Sequence, residues 1–255
     1  MRVLKEFMDL NNKSKKKLEK IGYKIGKKIA PSGSFGTVYS LINNLDLVLK
    51  ATTDKNEAYS LNKIKNKKTK NLVQIFRVFK FENGNVFYLL QERLYPVEEL
   101  KNIEIFSSNS YDDSYKSCEK FVDFLINNKT KIKLKNLKFV LNNFDKESLI
   151  NNLIFITPYS YRNQNYELDS DYYQKIKNSQ FWLFLTNVDD YCKILVENPK
   201  ISNIIKQIID GINEAKKYSI EKLDIHSGNI MKRKNGKIVL VDFARDYETT
   251  SIEEI

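Results

Sequence analysis

Leu223-Asp-Ile-His-Ser-Gly-Asn-Ile-Met231 and, a few residues on, Ile238-Val-Leu-Val-Asp-Phe243 decide the reading of this chain. Asp224, Asn229 and Asp242 stand in these runs at intervals of five and thirteen. The first two belong to a polar loop. The third ends an apolar run that reads as a buried strand. Such a loop and strand would gather a carboxylate able to take a proton from a hydroxyl, and an amide and a carboxylate able to hold a hard divalent cation. Each residue alone has an ordinary explanation, because Asp and Asn cap loops and form turns everywhere. Their joint spacing predicts a partner motif far upstream.

That motif is present. Ser32-Gly-Ser-Phe-Gly-Thr-Val38 lies between two short strand-like runs. Gly33 and Gly36 allow close approach of backbone to a ligand, and exposed N–H groups in such a turn attract phosphate. Twelve residues beyond Val38, Lys50 closes the apolar run Leu47-Val-Leu-Lys50. A lysine at the end of a buried strand is costly unless it meets an anion. The bland alternative is a side chain that snorkels to water. Glu57, on the helical stretch that follows, is the candidate protein anion.

Working outward, residues 3–21 read as a basic helical lead-in. Tyr23–Ile29, Thr37–Ile42 and Asp46–Lys50 read as strands, with a turn at Asn43-Asn44. Lys55–Lys65 reads as a helix with Ala58, Leu61 and Ile64 on one face. Leu72–Lys80 and Asn85–Glu92 read as a hairpin turning at Glu82-Asn-Gly-Asn85. Beyond Tyr95-Pro96 the pattern turns helical, over Asp112–Asn127, Asp145–Leu153 and Asn203–Tyr218. The expected class is α+β: a small antiparallel sheet with one helix, then a mainly helical part. The expected divisions are a basic extension over 1–22, a first lobe over 23–95, and a second over 96–255 with an atypical helical insert at 100–200.

Taken in order, these motifs resemble the protein-kinase-like superfamily, whose set is a glycine-rich loop, a strand lysine, a helix glutamate, a DxxxxN loop and a DFG aspartate. Here they stand as Pro31-x-Gly33-x-x-Gly36-x-Val38, Lys50, Glu57, Asp224-Ile-His-Ser-Gly-Asn229 and Asp242-Phe-Ala244. The likeness covers 23–95 and 200–244. It implies a two-lobed fold and transfer of a phosphoryl group from ATP with Mg2+, on the serine/threonine protein kinase pattern. It implies that Gly33, Ser34, Phe35, Gly36 and Val38 cover the nucleotide, with Glu92 in the same nucleotide-binding set. Lys50 would hold the phosphates with Glu57 orienting it, Asp224 would meet the acceptor hydroxyl, and Asn229 and Asp242 would bind the metal.

The departures matter. Pro31 replaces the first glycine, Lys222-Leu223 the usual His-Arg, and Ala244 the last glycine. Only 13 residues follow Asp242, too few for a long activation segment and the helices that dock peptides. His226, the only histidine, stands where aminoglycoside and choline phosphotransferases have one and where protein kinases have lysine. A small-molecule phosphotransferase is therefore the rival enzyme reading. A kinase-fold regulatory module is the rival from another class.

Composition bounds the partners. The first 70 residues carry 17 basic and 6 acidic side chains, so the whole excess of +11 lies there. That points to an acidic partner or to a plain solvated lysine face. Nucleic acid is not expected, because no aromatic residues interleave with the lysines. Cys118 and Cys192 have no metal-ligand spacing. With no signal peptide and no apolar run long enough to span a bilayer, a cytoplasmic protein acting on a protein substrate is the expectation.

Overall fold

The computed structural model describes residues 10–29, 36–82, 84–101, 103–107, 112–130, 135–158, 182–185, 199–220, 225–242 and 251–255. The chain is α+β. Helix α1 (Asn12–Lys20) leads into strands β1 (Ile25–Lys28), β2 (Gly36–Leu41) and β3 (Leu47–Thr52). Helix α2 (Lys55–Lys63), β4 (Ile75–Lys80) and β5 (Phe87–Glu92) follow. These strands form one sheet, ordered β1-β2-β3-β5-β4, and residues 251–255 supply a sixth strand, β12 (Glu253–Glu254), on the β4 edge.

Both faces of this sheet are covered, which is why β5 reads as an unbroken apolar run. On one face Leu18 of α1 joins Leu49, Ala51, Phe79, Phe81 and Tyr88. On the other, Ala58 and Leu61 of α2, with Ile64 just past its end, join Ile75, Val78, Phe87 and Leu89. Burying one such leucine stabilises the fold by roughly 1.5–3 kcal/mol. Lys50 alternates with Leu49 and Ala51 and so leaves the sheet on the α2 side. In register it lies between Val38 and Leu89.

The α2 core continues without a break into Ile204, Ile205, Ile208 and Ile212 of helix α6 (Pro199–Lys216) and into Ile230, Ile238, Val239 and Leu240. The last four belong to a hairpin of β10 (Ile230–Lys232) and β11 (Ile238–Leu240), with β6 (Tyr95–Pro96) as third strand. Gly211 permits the approach: a Cβ there would stand 2.9 Å from Leu240 Cδ1 and 3.1 Å from the Asn71 carbonyl.

The first strands, the turn at 42–46 and α2 fall where the pattern places them. Helix α3 (Asp112–Asn127) has the expected bounds. Helix α6 begins four residues early, since proline suits the first helical position. Of the lead-in, Asn12–Lys20 is helical, with Asn11 accepting from the Ser14 N–H as cap.

The region after residue 100 is less helical than expected. It holds a second three-stranded sheet of β7 (Ile103–Ser107), β8 (Leu153–Pro158) and β9 (Trp182–Leu185). The helix read over Asp145–Leu153 stops at Asn152, as α5 (Lys146–Asn152). The run Leu153-Ile-Phe-Ile-Thr-Pro158 has no helical period and is rich in β-branched and aromatic residues, which favour a strand. Helix α4 (Lys135–Asn143) and strand β12 were not anticipated.

Candidate functional site

Three separate segments bring their charges to one point. Lys50 Nζ lies 2.5 Å from Glu57 Oε1 and 3.0 Å from Asp242 Oδ2. The Lys50 and Glu57 side chains are 12% and 3% exposed, whereas Asp242 is 44% exposed and opens the cluster to solvent. Three of the expected site residues are thus one unit.

Local sequence explains each placement. Asp54 caps α2 by accepting from the Asn56 and Glu57 N–H groups at 2.9 and 3.2 Å. This fixes the first turn, from which Glu57 projects toward β3. Gly36 faces Lys50 from β2, and a Cβ there would stand 2.9 Å from Lys50 Cε and 3.1 Å from the Ala51 carbonyl. A side chain at 36 would therefore have to push the end of Lys50 from its present path. Asp242 follows β11 in a left-handed conformation, φ +58°. That region is strained for most side chains and least so for Asp and Asn.

The interval between Asn229 and Asp242 has a structural cause. In the antiparallel hairpin Ile230 faces Leu240, so Asn229 comes beside Val241. The Asn229 carbonyl accepts from the Val241 N–H at 2.9 Å. Asn229 ends a short 3-10 turn (Ser227–Asn229) and is buried. His226 caps that turn, its Nδ1 accepting from the Gly228 N–H at 3.1 Å.

The three charges are mutually adjusted. Burial opposes the Lys50 ammonium, but the Glu57 and Asp242 carboxylates outweigh it and keep the lysine firmly protonated. Burial pushes the Glu57 carboxyl up to about 8, with Lys50 countering and Asp242 adding to the rise. Burial works the same way on Asp242, yet Lys50 and a hydrogen bond from Glu57 bring it below the usual carboxylate range. The two carboxyl groups are thus driven in opposite directions beside one ammonium.

Glu92 is placed elsewhere. Its carboxylate accepts from Arg233 Nε and Nη2 at 2.8 Å each and from the Gln74 N–H at 2.8 Å. Arg233 also donates to the carbonyls of Lys70, Thr69 and Leu72. This clamp ties the end of β5 to the β10–β11 hairpin. Beside it, Glu214 of α6 accepts from the Lys70 and Asn71 N–H groups at 2.8 and 2.7 Å. The Leu240 N–H donates to the Asn71 carbonyl at 2.8 Å, and the Val73 N–H to the Leu240 carbonyl at 3.0 Å. The segment between α2 and β4 is thereby stitched to the strand that presents Asp242. Sequence reasoning missed Arg233, Glu214 and Asn71, whose partners are too distant along the chain to leave a local signal.

Val38 faces Lys50 across the β2–β3 ladder and is half-buried. Gly33, Ser34, Phe35 and Asp224 lie outside the described residues. No protein-family model matches the chain. No curated protein matches it either. Among the described residues, no group of three His, Cys, Asp or Glu side chains could hold a metal by itself. Asp242 and the Asn229 amide have the oxygen chemistry of a Mg2+ site, which commonly takes one or two protein oxygens and completes itself with phosphates and water. Among the same residues, no helix is long and apolar enough to cross a membrane.

Proposed function

We propose that this chain is an ATP-dependent phosphotransferase with a two-lobed, protein-kinase-like arrangement, moving the γ-phosphate to a hydroxyl on the serine/threonine kinase pattern. One observation carries the reading: Lys50, held by a buried helix glutamate, also touches a half-exposed aspartate delivered from a strand nearly 200 residues later. A lysine needed only for structure is satisfied by one carboxylate. Here a second, strained carboxylate approaches the same ammonium from the solvent side, where an anionic ligand would enter.

In this reading the phosphates of ATP take the outer side of the Lys50 ammonium, and Glu57 keeps its inner side fixed. Asp242 and Asn229 would hold Mg2+, which when bound neutralises charge on the phosphate oxygens. Asp224, two residues before His226 in the loop, would accept the proton of the acceptor hydroxyl. The acceptor oxygen bonds to the γ-phosphorus as the bond to the bridging oxygen breaks, and ADP leaves with that electron pair. The site thus works by positioning and charge rather than by a covalent intermediate.

His226, two residues after Asp224 and capping the turn that ends at Asn229, favours a second reading, transfer to a small hydroxyl or amino compound. A melting scan with Mg-ATP, followed by γ-labelled ATP and a panel of acceptors, tests both. Binding to the native state must raise the melting temperature. Label on the chain itself or on a generic protein supports the protein kinase reading. Label only on an added small acceptor replaces it with the second. No nucleotide-dependent shift would leave a binding module of the same fold.

A further inference from the structure

Helix α2 carries Glu57 but has only nine residues, too few to hold itself in place without tertiary support. One support is residues 251–255. They run parallel to β4, with Glu253 opposite Phe79 and Glu254 opposite Lys80. The Ile255 N–H donates to the Lys80 carbonyl at 3.0 Å, and the Glu82 N–H to the Ile255 carbonyl at 3.2 Å. The Arg77 guanidinium grips Glu253 with two hydrogen bonds, at 2.9 and 2.5 Å. Lys80 pairs with Glu254. Ile252 packs on the cluster that contains Ala58 and Leu61, and Ile255 on the cluster across the sheet. Finally, Asn62 of α2 donates from Nδ2 to the Ser251 carbonyl at 3.0 Å.

Every side chain from Ile252 to Ile255 thus has its own partner, so the register is pinned. A slip by one residue would put glutamates on the apolar clusters. The strand covers the edge of β4, which would otherwise present unpaired backbone groups. It also reaches past that edge to the helix. A segment needed only to cover an edge has no reason to hold α2.

We propose that Ser251–Ile255 is a strap that positions Glu57, and through it Lys50, with Arg77, Glu253 and Asn62 as its positioning residues. The sheet edge and the α2 flank together form a docking surface for an extended Ile-Glu-Glu-Ile strand, and the chain supplies that strand itself. The link from strap to helix stands on geometry alone, and its kinetic consequence rests on the phosphotransferase reading.

The test uses the full chain with Arg77→Glu, Glu253→Arg and the double charge swap. Hydrogen exchange at the amides of α2 is read together with kcat and the KM for ATP. Each single variant should speed exchange at Leu61 and Ile64 and lower kcat, each by roughly fivefold for loss of one largely exposed ion pair. The double variant should restore both, which ties the two effects to the ion pair itself. Asn62→Ala, which leaves the ion pair intact, should speed exchange in α2 while residues 251–255 stay protected. Should Arg77→Glu fail to fold, Glu253→Gln gives the same comparison in milder form. Faster exchange confined to 251–255, with α2 protection unchanged, overturns the proposal. If the unmodified chain binds no nucleotide, the proposed function fails, and the exchange data still decide the strap.

Discussion

Two of the ionic clusters among the described residues are built on opposite plans. In the Arg233–Glu92 clamp the guanidinium fork meets a carboxylate, three backbone carbonyls receive its remaining N–H groups, and a backbone N–H completes the glutamate. Its two side chains are only 18% and 17% exposed. In the Lys50 cluster one ammonium faces two carboxyl groups, and one of them is 44% exposed on a left-handed residue. A planar fork matched bond for bond is a fixture. A point charge between competing anions is open to rearrangement by a stronger anion. Buried charge alone therefore does not mark a candidate site; a charge cluster beside an opening is the better candidate.

The comparison breaks most visibly at Asp242. Asp242→Asn should remove Mg2+-dependent nucleotide binding in calorimetry and lower transfer by about a hundredfold or more, the scale of losing one preorganised electrostatic contact. Equal binding by the variant would end its metal role. The clamp should fail in a different currency. Arg233→Met leaves Glu92 unpaired in a largely buried setting and should cost about 3 kcal/mol in denaturant unfolding, with ATP affinity per folded molecule unchanged. Removing Glu92 as well, as Glu92→Met in the same chain, should recover much of that loss. A smaller effect is expected at Gly211. Gly211→Ala drives a methyl against Leu240 and the Asn71 carbonyl and should cost about 1–3 kcal/mol by overpacking, with some loss of transfer as β11 shifts.

The subtlest difference lies in pH. Glu57 has a folded-state pKa of about 8 against an ordinary 4.5, so the folded chain keeps a proton that the unfolded chain loses in that window. Stability conferred by this group is therefore greatest at low pH and declines as pH rises from about 4.5 to about 8. Asp242, whose pKa is lowered, contributes stability above its ordinary value of 3.8 and loses it as pH falls below. Glu57→Gln should flatten the decline between pH 5 and 8 in urea titrations (about the window set by the shift) while leaving the acid limb in place. A slope unchanged by the substitution would assign the titration to another group.

Much of this was legible in sequence, for identifiable reasons. The order of a glycine turn, a strand lysine and a capped helix glutamate is local, and the structure brings Lys50, Glu57 and Asp242 together as that order implies. Asn229 also comes beside the aspartate's strand. The Arg233 partner of Glu92 was hidden because the end of β5 says nothing about an arginine 141 residues away. The sheet β7-β8-β9 was hidden because an apolar run without a period fits a strand or a helix. Strand β12 was hidden more deeply, since two glutamates between isoleucines gain meaning only from Arg77 and Lys80 on a distant edge.

The β10–β11 hairpin turns the thirteen-residue interval into a matter of carpentry. What sets Asn229 beside the strand of Asp242 is the ladder rung that pairs Ile230 with Leu240, and the turn with Gly236 at φ +80° merely closes the loop. Extra residues spliced into that exposed tip would lengthen the interval and leave the two oxygen donors as neighbours. One residue added within either strand would keep a nearly identical interval and turn one donor to the wrong face. A distant relative of this chain is thus better sought by an unbroken three-rung ladder than by a count of residues. The same tip offers a place to attach a reporter without touching the site.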